Sequence, residues 1–217
     1  MIMDKTMQAL EKGRQAFLNG EFADAAERFK GVLQTQALSE SIRIEALTGQ
    51  LDALLELGEL DRVWDLLQRY LQESDRPERR ERKAALLHIY AKYLFLRKDL
   101  KAAIEVSREE LSFISSQHKR YYLRLTENYL QQARIFLHLN DLTEARIYLD
   151  LATYYMQTDG DELLKAYYYY YEASYLLAKK KKTEAEQFFL SARDLFLFNG
   201  ALWWAEKVDK KLTHKDE

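Results

Sequence analysis

Apolar residues recur along this chain with a helical period. Leu47, Leu51, Leu54 and Leu55 fall at i, i+4, i+7 and i+8, one face of an amphipathic helix. The stripe returns as Leu87, Ala91, Leu94 and Phe95, then as Tyr129, Ala133, Phe136 and Leu137, and again as Tyr169, Ala173, Leu176 and Leu177. Its second position is small in several copies (Gly13, Ala91, Ala133, Ala173), which lets a neighbouring helix approach closely. A second set of stripes follows each first one, such as Phe22, Ala25, Phe29 and Val32, or Leu60, Val63, Leu67 and Tyr70. No sustained two-residue alternation bounded by turn signals is present, so the pattern predicts helices and no strands.

Between the two stripes of each unit stands one recurring phrase. It reads Leu18-Asn19-Gly20-Glu21-Phe22-Ala23-Asp24-Ala25, then Leu57-Gly58-Glu59-Leu60-Asp61-Arg62-Val63. It returns as Leu96-Arg97-Lys98-Asp99-Leu100 and Leu139-Asn140-Asp141-Leu142, and in degraded form as Lys180-Lys181-Lys182-Thr183-Glu184-Ala185. Asn19-Gly20, Gly58 and Asn140 suit the left-handed conformation that ends a helix. Glu21, Glu59, Asp99, Asp141 and Thr183 then read as starts of the next helix, with Thr183 and Glu186 matching a capping box. Ala25, Val63, Ala103, Ala145 and Ala185 hold equivalent places, 38, 40, 42 and 40 residues apart. A fixed period of that size is the mark of a repeat architecture.

Composition agrees. One proline and seven glycines in 217 residues leave long helices uninterrupted. The formal charge of -2, from 33 basic and 35 acidic side chains, argues against a domain built to grip nucleic acid. The basic stretches at Arg76–Lys83 and Lys179–Lys182 read as solvated charge. No cysteine is present, which excludes disulfides and thiolate metal sites. No apolar run reaches the roughly 18 residues of a membrane span. The sequence therefore predicts a soluble, cytoplasmic protein without nucleic-acid or membrane partners.

With five copies in register, the chain resembles the tetratricopeptide repeat (TPR) family in a long-helix form. The matching positions are Gly13, Ala25 and Phe29; Leu51, Val63 and Leu67; Ala91, Ala103 and Ser107; Ala133, Ala145 and Leu149; Ala173, Ala185 and Phe189. The family repeat is about 34 residues, so the units here are longer by a turn or so. The resemblance implies an all-α, right-handed superhelical solenoid of about five antiparallel helix pairs. The units span residues 4–36, 39–74, 78–116, 119–157 and 161–198 of a single domain covering 1–217. A capping helix over 200–212 follows. Long-helix variants are also similar to the ligand-sensing repeat domains of bacterial peptide-responsive regulators.

In the family, first helices line a concave groove. Carrying its offsets onto this chain brings Arg14, Asp52, Lys92, Arg134 and Ser174 to that groove by one offset, Leu10, Thr48, His88, Leu130 and Tyr170 by a second, and Met7, Glu45, Ala85, Glu127 and Tyr167 by a third. Arg14, Lys92 and Arg134 would set three cations along it, suited to a peptide's carboxylates. His138 lies near the same surface. Twelve of the fifteen tyrosines fall between Tyr121 and Tyr175, and Tyr167 to Tyr171 are consecutive. Five successive residues cover more than one helical turn, so not all can face the core. Tyr169 is expected inside, with Tyr167, Tyr170 or Tyr171 reaching a binding surface. Trp203 and Trp204 point about 100° apart on the last helix, and the outer one is expected to serve an oligomer contact.

The histidines (His88, His118, His138, His214) show no metal-binding spacing, and neither a phosphate loop nor a nucleophile elbow is present. No cofactor and no catalysis are expected. The function predicted is a scaffold binding a protein or peptide segment in the concave groove. A ligand-sensing regulatory module, or a homo-oligomeric structural protein, stays open beside it.

Overall fold

The computed structural model of the chain describes residues 2–156 and 160–213, with side chains from residue 5 onward. Gln157, assigned above to the end of the fourth unit, and His214 lie outside the described residues. Within them the fold is all helix. The first pair is α1 (Ile2–Leu18) and α2 (Phe22–Leu33), the second α3 (Glu40–Glu56) and α4 (Leu60–Glu73). After a 3-10 turn at Pro77–Arg79 come α5 (Arg80–Leu96) and α6 (Leu100–Phe113). The fourth pair is α7 (Tyr121–His138) and α8 (Leu142–Met156), the fifth α9 (Glu162–Ala178) and α10 (Lys182–Phe198). The chain's last described helix is α11 (Leu202–Thr213).

The recurring phrase folds the same way each time. Gly20, Gly58, Lys98, Asn140, Lys180 and Gly200 all have positive φ, between 56° and 83°. At the first of them the amide of Gly20 donates to Phe17 O at 3.0 Å and that of Glu21 to Ala16 O at 2.8 Å. The same two-bond pattern closes α3, α5, α7, α9 and α10. It satisfies carbonyls that a helix end leaves without partners. Lys98 and Lys180 accept the left-handed conformation without being Gly or Asn, so the motif persists where its residue signal is lost. The next helix is capped by side chains only in part. Asp99 accepts from the amide of Ala102 at 3.2 Å and Asp141 from that of Glu144 at 3.1 Å. Glu21 and Glu59 make no such bond. The capping box expected at Thr183 is displaced, because α10 already begins at Lys182 with Lys181 in the cap position.

Packing follows the repeat. Ala25, Val63, Ala103 and Ala145 are fully buried, as are Leu51, Ala91, Ala133 and Ala173, the small or slender residues across from them. Phe29 fills the gap in the first unit. A Cβ on Gly13 would stand 3.0 Å from its ring, and one on Gly49 only 2.6 Å away, so the ring lies between two glycines. The stripes weaken towards the C-terminus, where Leu177 is exposed.

The stack curls until its end meets its beginning. Trp203 of α11 packs edge-on against Phe22, with centroids 5.0 Å apart, and Leu18 joins the cluster formed by Ala201, Ala205 and Phe196. The first helices of successive pairs, α1, α3, α5, α7 and α9, neighbour one another on the inside. The second helices back them. This is a TPR-like helical repeat solenoid whose last helix closes against the first pair.

Candidate functional site

Because the inner helices run side by side and the ends meet, one central cavity forms between them, with a volume of about 410 Å³. Every inner helix contributes: Phe17 from α1, Asp52 and Glu56 from α3, His88 and Lys92 from α5, Arg124, Glu127 and Arg134 from α7, Tyr167 and Tyr171 from α9. Helix α11 adds Trp204 and Lys207. A second cavity of about 260 Å³ shares Thr48, Arg124 and Glu127 with it, and extends towards the N-terminal ends of α3, α5 and α7.

The charges are arranged in linked pairs. Lys92 Nζ donates to Asp52 Oδ1 at 2.8 Å across α3 and α5. Burial pulls the Lys92 ammonium down, but the adjacent Asp52 carboxylate outweighs it and raises the pKa. Burial pushes the Glu56 carboxyl above its ordinary value; Lys207, Arg134 and Lys92 pull it back, and Asp52 adds to the push. Glu56 is an exposed residue that borders the cavity, and the protein around it partly desolvates the charge. Burial likewise lowers the Lys207 ammonium, against the attraction of Glu56, and Arg134 repels it further. Desolvation favours the neutral form of any such group. The phenol of Tyr167 is raised by burial and remains a neutral hydroxyl.

Several side chains are set by partners behind the wall. His88 Nδ1 lies 3.1 Å from the buried carboxylate of Glu110, which also accepts from Asn128 Nδ2 at 2.8 Å. Gln131 donates to the His88 carbonyl at 3.1 Å. The Arg134 guanidinium lies 4.2 Å above the Phe95 ring, and Lys207 Nζ lies 3.5 Å above the Trp203 ring and 4.7 Å from that of Trp204. Such contacts hold a cation in place while leaving its N–H groups available.

The repeat offsets read from the sequence converge in the middle of the ring. Asp52, His88, Lys92, Arg134 and Tyr167 all line the cavity. The end repeats depart. Arg14 is tied to Glu45, and to Glu11 at 2.7 Å, beside the cavity instead of on its wall. Ser174 turns its hydroxyl to the Tyr170 carbonyl at 2.9 Å. Tyr170 packs against Phe189 and Trp204, with centroids 5.7 and 5.5 Å away, and Tyr171 takes the cavity position instead. His138 is exposed at the end of α7, edge-on to Phe95 at 5.2 Å. Tyr169 is half-buried against Phe188. Trp203 and Trp204 are both engaged within the chain, the first at the seam with Phe22 and Gly20, the second on Tyr167 and Phe196.

Glu56 and Lys207 were not among the expected residues. Glu56 lies on the same helix as Asp52, one turn later, and could have been found by extending the offset. Lys207 stands on a helix outside the repeat, so no offset reaches it. Among the described residues no cluster of His, Asp and Glu suited to a metal occurs, and no helix is long and apolar enough to cross a membrane.

The paired helices, the recurrent buried alanine and the shared inner cavity define the class, an all-α TPR-like repeat solenoid. Among solved structures, the chain is similar to two crystal structures of nearly identical TPR-like repeats from a candidate kinesin light chain of Podosopora anserina. Both are 17% identical and cover 88% of this chain and 94% of theirs, with TM-scores of 0.49 and 0.48. The sequence matches no protein-family model and no curated protein.

Proposed function

We propose that the protein is a non-catalytic binding scaffold that holds a short peptide or an extended protein segment in its central cavity. The observation that carries this reading is the convergence of the inner helices on one cavity lined by charged and aromatic side chains. Concave sites with a few placed polar groups among apolar and aromatic walls are the usual form of ligand pockets. The wall offers cations, carboxylates and tyrosine hydroxyls together, which matches a peptide's mixed backbone and side chains.

The test compares partner capture by the wild type, by His88→Ala/Arg134→Gln, and by Arg62→Gln on the outer helix α4. The cavity variant should lose partners that the outer variant keeps, with helicity unchanged in both. Retention by the cavity variant together with loss by the outer variant would move the binding surface to the back of the solenoid.

A second reading, a ligand-sensing module, is favoured by the seam. A ligand touching α3, α7 and α11 together would bias how tightly the ring closes. Small-angle scattering with saturating ligand tests it, and an unchanged profile argues for a static scaffold.

A further inference from the structure

We infer that the outer side of α10, towards its C-terminal end, is a surface on which two copies of this chain pair, antiparallel and about a two-fold axis. The inference is independent of the peptide-binding reading above, since it concerns the back of the solenoid and needs no ligand. Trp203 and Trp204, from which an oligomer contact was expected, pack within the chain and leave that task to another surface.

Large apolar side chains are exposed together there. Phe198 is 80% exposed, Leu197 44% and Leu190 40%, and Leu202 at the start of α11 is 47% exposed. Leu190 and Leu197 lie two turns apart on α10, so they share one side of the helix. The repeat shows that this is a departure. Five residues after the buried small residue of each second helix stand Lys30, Gln68, Arg108 and Asp150 in the first four units, all polar and exposed. The fifth unit holds Leu190 in that place. A solvent position that turns apolar in one unit, on a helix that also exposes a Phe, marks a contact surface.

The pattern on this side is its own complement, which points to a second copy as the occupant. It reads Leu190, two residues, Arg193-Asp194, two residues, Leu197. Reversed, leucine falls on leucine and arginine on aspartate. Two α10 helices laid antiparallel therefore set each Leu190 level with Leu197 of the partner subunit, and bring both Arg193-Asp194 pairs together at the axis. Asp194 is exposed and forms no ion pair among the described residues. Arg193 lies 3.4 Å from Asp209, and a guanidinium has donors enough for a second carboxylate. A parallel arrangement would set aspartate against aspartate and the lysine turn Lys179–Lys182 against its own copy. The antiparallel one sends the two lysine turns to opposite ends, about 30 Å apart along the helices. A contact that is the same patch on both copies closes as a dimer.

No residue of α10 lines either cavity, so pairing leaves both of them open. Few side chains meet on each copy, which places the contact at the small end of specific interfaces. The dimer should therefore be reversible and half-formed at about 10–100 µM.

Sedimentation equilibrium of the full chain, at loading concentrations on both sides of that midpoint, should show the mass rising from one copy to two. Leu197→Ser/Phe198→Ser should raise the dissociation constant about tenfold or more, with helicity and Tm unchanged. Ile147→Ser/Tyr154→Ser, exposed on α8, is the comparison and should leave dimerisation as it was. Asp194→Arg and Arg193→Asp should each weaken pairing alone, by gathering like charges at the axis, and should pair with each other when mixed. The chain has no cysteine, so a single introduced one reports the geometry. Ser191→Cys, near the axis, should be joined to its copy by a short bismaleimide, and Thr183→Cys should not. A monomeric mass at every concentration overturns the proposal and gives the face to a different partner. A dimer that survives Leu197→Ser/Phe198→Ser, or that is lost equally in the α8 variant, overturns the assignment to α10. Failure of the two charge variants to pair on mixing, or a crosslink through Thr183→Cys, overturns the antiparallel arrangement. Should Leu197→Ser/Phe198→Ser not fold, Leu190→Gln, which gives this position the residue that the second unit has, carries the same test.

Discussion

The indole of Trp203 fills the space that a side chain at Gly20 would need: a Cβ there would stand 2.7 Å from Trp203 Cδ1. The first inter-helix turn and the closing helix are therefore fitted to each other. Gly20 also has φ +83°, where an L side chain is strained. Gly20→Ala should destabilise the protein by about 2–4 kcal/mol, from backbone strain and overpacking together. Gly58 provides the comparison, with φ +75° and nothing within 4 Å of its Cβ position. Gly58→Ala should cost only about 1 kcal/mol. Urea denaturation of the two variants measures the seam by difference, and equal losses would show that the seam contributes nothing.

Gly49→Ala tests the packing of the first two units. Alanine is the better helix former by about 1 kcal/mol, so an open site would gain stability. Here the added methyl meets the Phe29 ring at 2.6 Å, and Phe29 already rests on Gly13 from the other side. The ring has no room to yield, and a net loss of about 1–3 kcal/mol is expected by thermal or chemical unfolding.

The Asp52–Lys92 pair bridges two inner helices at 2.8 Å with both side chains about one-quarter exposed (26% and 28%). Its coupling should lie between surface and buried ion pairs, at about 1–2 kcal/mol. A double-mutant cycle with Asp52→Asn and Lys92→Met reads it directly. Each single variant should also alter peptide retention, because each changes the charge balance of the cavity.

Glu56 and Lys207 predict opposite pH responses. Burial raises Glu56 above 4.5, so the folded state binds that proton more tightly than the unfolded chain. Its stabilising contribution is complete below 4.5 and is lost as pH rises through the folded value. The stability of the wild type relative to Glu56→Gln should fall across that interval and then level off. Lys207 is held below 10.5, so its protonated form disfavours the folded state. The wild type should gain on Lys207→Met as pH rises from the folded value towards 10.5. Arg134 acts on both groups, so its variants should shift both curves, whereas Asp52 and Lys92 act on Glu56 and their variants should shift the Glu56 curve.

Much of the cavity was legible before any coordinates, for a specific reason. Thr48, Asp52, His88, Lys92, Leu130 and Arg134 sit at constant offsets from the buried small residue of their repeat (Val63, Ala103 or Ala145), and a helix of fixed pitch turns a constant offset into a constant direction. The offsets failed at the ends of the stack. Arg14 and Ser174 have a neighbouring inner helix of the repeat series on one side only, and local partners capture them; Leu10, expected at the groove, is fully buried in the core of the first units instead. Within the tyrosine run, period alone could not separate Tyr170 from Tyr171. The choice was made by Trp204, which takes Tyr170 into its own packing and leaves Tyr171 at the cavity.

What the sequence determined by itself was the helix pairs, the turn that joins each pair and the buried register, because capping, glycine placement and apolar period act within a few tens of residues. It also placed an anionic and a cationic residue on neighbouring inner helices. Only the tertiary structure decided that the solenoid closes and that Lys207 reaches the cavity, where it rests on the rings of Trp203 and Trp204. Closure depends on small rotations that accumulate from pair to pair, and no local pattern records their sum. The seam between Trp203, Phe22 and Gly20 exists because those rotations bring the two ends of the chain together.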